Sequence, residues 1–238
     1  MSNKSFKFKQ FTIQQDKTAM KVGTDAVLLG AWVNLKNELN TILDVGSGTG
    51  LIALMLAQRS FAETIDAVEL NENAYLQTVE NFENSDWGDR LFCYHASFQQ
   101  FTEEIEDKYD LIISNPPFYT STYKELNRDR ALARHNESLS FEELLYGTSK
   151  LLSDTGTCAF IIPFEEEVNF IKIAAQNKLV PNRITRVKGN ENTAIKRSLL
   201  QFSKTKTEIE IDELIIEITR HKCTNAYKNL VKDFYLKM

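Results

Sequence analysis

From Thr41 onward, the chain alternates short apolar runs with stretches whose apolar residues recur every three or four positions. The runs, rich in branched and aromatic residues, predict buried strands, and the stretches between them predict amphipathic helices. The predicted strands are Thr41 to Val45, Thr64 to Glu69, Leu91 to His95, Tyr109 to Ser114 and Thr157 to Pro163. The helices among them are Leu51 to Gln58, Glu72 to Asn81 and Phe141 to Leu152. This alternation indicates βαβ units and an α/β fold with a doubly wound, mostly parallel sheet.

The pattern changes after Pro163. A helix is predicted through Phe164 to Asn177 and another through Ala226 to Leu236, with three β-like segments between them: Arg183 to Val187, Arg197 to Ser203 and Ile209 to Thr219. Short polar turns cannot join parallel strands, so we expect an antiparallel pairing at the end of the sheet. We expect a single domain with an N-terminal extension (1–40), a core (41–163) and C-terminal strands with a helix (164–238).

Composition and charge fit a soluble globular protein. The 238 residues are 42% hydrophobic and 26% charged, and the N-terminus lacks the apolar stretch of a signal peptide, so we expect a cytoplasmic protein without a membrane span. Three scattered cysteines predict no metal site. The net charge is −5, yet residues 170–238 hold 14 basic against 7 acidic residues, and the first 21 residues hold five lysines against one aspartate. Either basic end alone is typical of a solvated surface, whereas both together favour a polyanionic partner.

A glycine-rich turn follows the first strand of the core. The sequence Asp44-Val45-Gly46-Ser47-Gly48-Thr49-Gly50 leads into the helix that begins near Leu51. Glycines permit positive φ and lack the Cβ atoms that would keep a ligand off the main chain, while the helix N-terminus offers free N–H groups. The turn predicts a site for an adenosine-containing cofactor, although by itself it also fits a dinucleotide enzyme, a methyltransferase or a structural turn.

An acid at the end of the next strand narrows these alternatives. Glu69 lies 19 residues beyond Gly50, where a carboxylate can reach ribose hydroxyls. The turn and this acid together resemble the S-adenosylmethionine site of class I methyltransferases, because pyrophosphate binding would need a further glycine where Ile52 and Ala53 stand. The resemblance implies cofactor contacts from these residues: Asp44, Gly46, Gly48, Gly50, Glu69 and Leu70.

The sequence Asn115-Pro116-Pro117-Phe118 directly follows the strand that ends at Ser114. Two prolines fix φ and remove N–H donors, which would aim the Asn115 side-chain oxygen and the Pro116 carbonyl at one point beside the cofactor. These acceptors could bond both hydrogens of an adenine amine and favour a pyramidal nitrogen. Phe118 could stack on an extruded base. The structural alternatives are a Pro-Pro loop that only caps the strand and a Phe118 buried in the core.

This tetrapeptide is similar to the signature of amino-methyltransferases acting on adenine, guanine or glutamine amide nitrogens. The stretches Gln10 to Trp32, Lys196 to Leu200 and Ala226 to Tyr235 resemble, more specifically, the bacterial tRNA(Val) anticodon-loop adenine N6-methyltransferases. The resemblance covers nearly the whole chain. It implies a Rossmann-like class I fold with a seven-stranded sheet, S-adenosylmethionine as cofactor, and methyl transfer to N6 of a tRNA adenine, with adenine 37 of tRNA(Val) as the expected target.

In that family the segment before the first core strand borders the cofactor. This implies that four residues contact the methionine end of the cofactor: Lys21, Gly23, Thr24 and Asp25. Thr24 or Asp25 equally fits the N-cap of a helix through Trp32. The family often places an acid after the third core strand to hold the adenine amine, but Ser97 and Phe98 stand there in this chain. We expect a weaker hydrogen bond from Ser97 and an apolar contact from Phe98.

Under this hypothesis, basic side chains near both ends and after the tetrapeptide guide the phosphates of tRNA: Lys7, Lys9, Arg128, Arg130, Arg134, Lys196 and Arg197. We expect a monomer. Two alternatives stay open at this point. One is the same chemistry on an rRNA base or a protein glutamine amide, and the other is a noncatalytic RNA-binding module with a vestigial cofactor pocket.

Overall fold

The computed structural model describes residues 4–35, 39–116 and 139–238, and its strands and helices alternate through most of them. The strands are β1 Ser5–Lys7, β2 Thr12–Gln14, β3 Thr41–Val45, β4 Thr64–Glu69, β5 Leu91–His95, β6 Tyr109–Ser114, β7 Leu152–Pro163, β8 Val180–Asn190, β9 Ile195–Ser203, β10 Glu210–Thr219 and β11 Lys222–Cys223. The helices are α1 Thr24–Trp32, α2 Leu51–Arg59, α3 Glu72–Glu83, α4 Phe98–Glu104, α5 Phe141–Leu151, α6 Glu167–Gln176 and α7 Asn225–Val231, and a 3-10 turn covers Phe164–Glu166.

Nine of these strands form one mixed sheet, in the order β11-β10-β8-β9-β7-β6-β3-β4-β5. Strands β3 to β7 are parallel, and β9 runs antiparallel to both β7 and β8. The predicted doubly wound, mostly parallel α/β fold and its antiparallel finish are therefore confirmed. In the residues described, two strands extend the expected seven, because β10 and β11 continue the sheet beyond β8.

Strand β10 does not pair with β9, the strand that precedes it in the chain. A short turn links it to β9, yet β10 pairs in parallel with β8, from Glu210 opposite Arg183 to Glu217 opposite Asn190. The chain leaves β9 and crosses the end of β8 to reach the far edge of β8, because both edges of β9 are already bonded to β7 and β8. A strand whose both edges are paired cannot accept another neighbour, and this excludes the hairpin.

Two apolar layers cover the faces of the sheet. One contains α1, α2, α7 and residues of the N-terminal hairpin β1–β2, and it includes Phe82 of α3. The other contains α4, α5 and α6, with Phe98, Leu144 and Phe170 among its buried side chains. Parallel strands covered on both faces must be apolar along their length, which explains runs such as Leu111 to Ile113.

Two further observations concern the residues that the structure describes. No helix among them combines the length and the apolar character needed to cross a membrane. No group of three or more His, Cys, Asp or Glu side chains in these ranges lies close enough together to hold a metal ion.

Candidate active site

The glycine turn after β3 leaves open space above its main chain. Gly46 and Gly48 have φ of 74° and 61°, and a Cβ atom built on either would meet no heavy atom within 4 Å. Gly50 also has a positive φ of 74°, but a Cβ there would lie 2.7 Å from Cε1 of Phe82. Gly46 and Gly48 can thus admit a ligand close to the backbone, as predicted. The Cα of Gly50 instead packs against α3, so its lack of a side chain serves the fold.

The structure brings the predicted acid at the end of β4 to this turn. The Gly48 N–H donates to Oε2 of Glu69 at 2.9 Å, and the Asn71 N–H donates to Oε1 at 2.8 Å. Each carboxylate oxygen has two lone pairs, so Glu69 can still accept hydrogen bonds from the hydroxyls of a ligand. Leu70, the next residue, is 49% exposed and offers an apolar surface beside this carboxylate.

Asp44 lies under the turn and is fully buried. The Ala53 N–H, in the first turn of α2, donates to its Oδ2 at 3.2 Å, whereas Oδ1 has no hydrogen-bond partner among the described residues. Burial raises the pKa of Asp44 to about 7, against the lowering effect of the Ala53 bond. Asp44 therefore accepts one N–H group from the first turn of α2 and keeps one oxygen without a partner at the base of the candidate cofactor site.

Asn115 lies at the end of β6, beside the glycine turn. Ser114 pairs with Val45 of β3, and its hydroxyl donates to the Val45 carbonyl at 2.7 Å, which fixes the two strand ends together. Asn115 is half-buried, and its Oδ1 is buried without a hydrogen-bond partner in the part of the chain that the structure describes. A buried acceptor without a donor is costly, so this oxygen fits a site that receives an N–H group from a ligand.

The rest of the predicted catalytic tetrapeptide is only partly described. Pro116 is buried directly after Asn115. Pro117 and Phe118 lie outside the described residues, as do the predicted RNA-binding residues Arg128, Arg130 and Arg134.

Helix α3 supports the turn through polar side chains that the sequence reasoning missed. The Thr78 hydroxyl donates to the Gly48 carbonyl at 3.1 Å. The amide of Asn81, 1% exposed, donates to the carbonyls of Thr49 at 2.8 Å and Gln14 at 2.9 Å, and its Oδ1 accepts the Gln14 N–H at 2.8 Å. Asn81 thus joins the N-terminal hairpin to the turn. The signal was present in the sequence, because polar residues occupy the helix face that also carries Ala74 and Phe82.

The N-terminal segment before α1 departs from one of its two predicted roles. The N-cap of α1 is Gly23, without a side-chain bond, so neither Thr24 nor Asp25 is the cap. Asp25 instead accepts a hydrogen bond from Nε of Arg197 at 2.8 Å, and Lys21 and Thr24 are exposed. The N-terminal end of α1 therefore meets the start of β9.

An open cavity of about 330 Å³ lies at this meeting point, and these residues line it: Thr24, Asp25, Leu28, Val187, Lys188, Gly189, Lys196, Arg197 and Ile216. Arg197 pairs with Pro163 of β7, which neighbours β6. The cavity thus lies at the same edge of the sheet as Asn115, roughly 10 Å away at two strand spacings. The predicted RNA-binding residues Lys196 and Arg197 are placed together here, beside the predicted cofactor residue Asp25.

The residues expected to hold the adenine amine have other roles in the fold. Ser97 is the N-cap of α4, where its hydroxyl accepts the Gln100 N–H at 3.1 Å and contacts the Gln100 Oε1 at 3.0 Å. Phe98 is 5% exposed and packs in the core, where a Cβ on Gly147 of α5 would lie 2.5 Å from its Cε1. The capping box and core packing account for both residues.

Comparisons with known proteins agree with this geometry. Residues 19–139 match the family described as the Methyltransferase small domain. The chain is 60% identical over 240 residues to the tRNA1(Val) (adenine(37)-N6)-methyltransferase of Christiangramia forsetii, covering all of both proteins. It is 46% identical over 239 residues, again covering both fully, to the protein of the same name from Trichodesmium erythraeum.

Solved structures with the same fold are more distant in sequence. A predicted O-methyltransferase from Agrobacterium tumefaciens superposes with a TM-score of 0.69 at 18% identity, covering 88% of this chain and 96% of that one. M. jannaschii TYW2 in complex with AdoMet gives 0.56 at 15% identity, covering 84% and 86%. These likenesses establish the methyltransferase fold, and the full-length identities establish the narrower group. The chain belongs to the family of tRNA1(Val) (adenine(37)-N6)-methyltransferases.

Proposed function

We propose that this protein transfers the methyl group of S-adenosylmethionine to N6 of an adenine in tRNA, at adenine 37 beside the anticodon of tRNA(Val). The full-length relatives support the substrate through their names. The observation that carries the reaction is the buried, unpartnered Oδ1 of Asn115 at the strand end beside the glycine turn. A tRNA substrate supports a cytoplasmic location, which we propose together with a monomeric enzyme.

The residues around the turn fit the proposed cofactor. Gly46 and Gly48 leave space against the main chain, and Glu69 stands at the adjacent strand end to accept hydrogen bonds from ribose hydroxyls. When bound, S-adenosylmethionine supplies an electrophilic methyl group on a sulfonium. The unsatisfied Oδ1 of Asp44 is an acceptor available to a polar or cationic part of the same ligand.

Asn115 supplies the chemistry on the side of the substrate. An adenine amine is a poor nucleophile because its lone pair is delocalised into the ring. An acceptor at Oδ1 of Asn115, with the Pro116 carbonyl as a second, would hold both amine hydrogens and favour a pyramidal nitrogen. The same acceptors offset the positive charge that develops as the nitrogen is alkylated. This arrangement orients the amine without a general base: the new N–C bond would replace the S–C bond of the cofactor, and the methylated nitrogen would release its extra proton to water.

The test is the Asn115→Ala variant, assayed on a tRNA(Val) transcript and on the same transcript with guanine at position 37. We expect kcat to fall by about 100-fold or more, the scale on which a lost transition-state hydrogen bond acts, while the cofactor Kd stays within about twofold. The control is Asn177→Ala, at the C-cap of α6, which packs on the face of the sheet opposite α2. This variant should keep full activity.

Unchanged turnover of Asn115→Ala would refute the role assigned to Asn115. Methylation of the guanine-37 transcript at the wild-type rate would refute the target position. Incubation of the enzyme with separated tRNA, rRNA and protein fractions decides between tRNA and the other amine substrates. Mass spectrometry of tRNA nucleosides from cells with and without the gene then reports the reaction in its natural setting.

A further inference from the structure

The two ends of the chain, far apart in sequence, are bound to each other. The Lys9 N–H donates to the Phe234 carbonyl at 2.8 Å, and the Lys9 ammonium donates to the Lys232 carbonyl at 2.6 Å. The ring of Phe8 stacks on Tyr235 with centroids 5.7 Å apart. The hairpin β1–β2 and the segment that follows α7 therefore form one unit.

The strand pattern turns the lysines of this unit outward. Phe6 and Phe8 point toward Tyr235, and Phe8 is completely buried. Because side chains alternate along β1, Lys7 points away from the side of Phe6 and is exposed. Lys9 lies beyond the strand, is also exposed, and reaches the Lys232 carbonyl with its ammonium.

Residues 4–9 and 224–238 together contain six lysines and a single acid, Asp233. All six lysines are exposed: Lys4, Lys7, Lys9, Lys228, Lys232 and Lys237. We call this set the terminal basic surface. Ordinary solvated segments intersperse both signs of charge, and the whole chain carries −5, so two packed segments with six lysines against one acid favour an anionic partner.

One end of this surface is connected to the active site. The Gln15 N–H donates to the Lys4 carbonyl at 2.8 Å. The preceding residue, Gln14, is held by Asn81, which also bonds the Thr49 carbonyl of the glycine turn. Lys4 and Lys7 lie next to this connection. Lys9 continues the surface to Lys232 through its bond to the Lys232 carbonyl, and Lys228 lies one helical turn before Lys232. The positive charge extends from the neighbourhood of the cofactor turn to the C-terminal helix.

We propose that the terminal basic surface binds the sugar-phosphate backbone of the RNA substrate, while the groups at the strand ends hold the target base. The inference rests on the proposed function for the identity of the RNA. Phosphate contacts from lysines carry no sequence information, so this surface supplies affinity and orientation, and the choice of base remains with the active site.

The test compares two double variants, Lys4→Gln with Lys7→Gln and Lys228→Gln with Lys232→Gln, which remove charge but leave the backbone carbonyl of Lys232 in place. Lys9 is kept because its ammonium joins the chain ends. The control is Lys172→Gln with Lys178→Gln, two exposed lysines at α6 on the other face of the sheet. Fluorescence anisotropy with a tRNA(Val) transcript gives the Kd between 50 and 300 mM salt, and methylation gives kcat and KM.

We expect each terminal double variant to weaken the Kd about 10-fold at the lowest salt and to reduce the salt slope by about one per lost phosphate contact. The KM for tRNA should rise in parallel while kcat and the cofactor Kd stay unchanged. An unchanged Kd and slope in either terminal variant, or an equal effect in the control, overturns the inference. A wild-type protein that binds this transcript through these lysines but does not methylate it would refute the proposed function and leave the surface standing.

Discussion

Asn81 provides a sharp test of how the cofactor turn is held. The variant Asn81→Leu keeps the branched shape of this buried side chain, with methyl groups in place of the amide oxygen and nitrogen, and removes its three hydrogen bonds. The Gln14 N–H, the Gln14 carbonyl and the Thr49 carbonyl then lose a partner in a site where Asn81 is only 1% exposed. An unsatisfied buried polar group costs about 1–3 kcal/mol, and part of this is recovered where water can enter beside the hairpin.

We therefore expect the free energy of unfolding to fall by about 2–4 kcal/mol, which a domain with about 5–15 kcal/mol of stability survives. Only the bond to Thr49 acts on the glycine turn itself. A share of about 1.4 kcal/mol for that bond corresponds to a cofactor Kd about 10-fold weaker. Urea unfolding gives the first quantity and isothermal titration calorimetry with S-adenosylmethionine gives the second.

Gln77→Leu is the matched comparison for this experiment. Gln77 is also fully buried on α3, and its Oε1 accepts the Lys17 N–H at 3.0 Å. The described contacts of Gln77 reach the N-terminal segment but not the turn, so its loss should reduce stability and leave the cofactor Kd within about twofold. If Asn81→Leu loses stability with the same cofactor Kd as Gln77→Leu, the reasoning about the turn is wrong.

Four further variants separate roles within the site. Gly50→Ala combines a strained positive φ with a clash against Phe82 and should cost about 2–4 kcal/mol of stability. Gly48→Ala has the backbone strain but no clash, because the added Cβ points into the open space of the candidate cofactor site. Its main effect should therefore be weaker cofactor binding. Equal losses of stability in the two variants would contradict the packing role of Gly50. Ser97→Ala should cost about 1 kcal/mol of stability through the lost cap and leave the cofactor Kd unchanged, whereas a 10-fold weaker Kd would restore its adenine-binding role. The pKa of Asp44 is raised from 3.8 to about 7 in the fold, so its contribution to stability is present below pH 4 and is lost as the pH rises through 7. Asp44→Asn should therefore gain about 2–3 kcal/mol relative to wild type between pH 5 and pH 8, and a difference that does not vary with pH would refute this assignment.

The parts of the fold that depend on local pattern were predictable. Strands β3, β4, β5 and β6 begin and end at the predicted residues. For β3, β4 and β6 the reason is that buried parallel strands require continuous apolar runs bounded by polar ones. Strand β7 begins five residues earlier than expected, at Leu152 instead of Thr157. Its polar first half is extended because Leu152 pairs with Tyr109 of β6, a contact that periodicity does not contain.

The same division applies to the site. The glycine turn, Glu69 and Asn115 could be identified because each lies at the end of a predicted strand, and parallel strands bring their ends to one edge. The role of Asn81 could not be deduced in this way, since its partner Gln14 is 67 positions away. The cap formed by Ser97 and the core packing of Phe98 were not foreseen, because these contacts depend on Gln100 and on α5, which the cofactor analogy does not consider.

The contact between the N-terminal hairpin and the segment after α7 also affects the order of events during synthesis. The hairpin leaves the ribosome early, yet Phe8 meets its partner ring only after Tyr235 has been translated. At about 5–20 residues per second, this wait lasts roughly ten to forty-five seconds. Throughout it, the hairpin that braces the glycine turn through Gln14 lacks its far anchor. A nascent chain without α7 and Tyr235 therefore holds the hairpin through the Gln14–Asn81 bonds alone, so the glycine turn is supported from one side only.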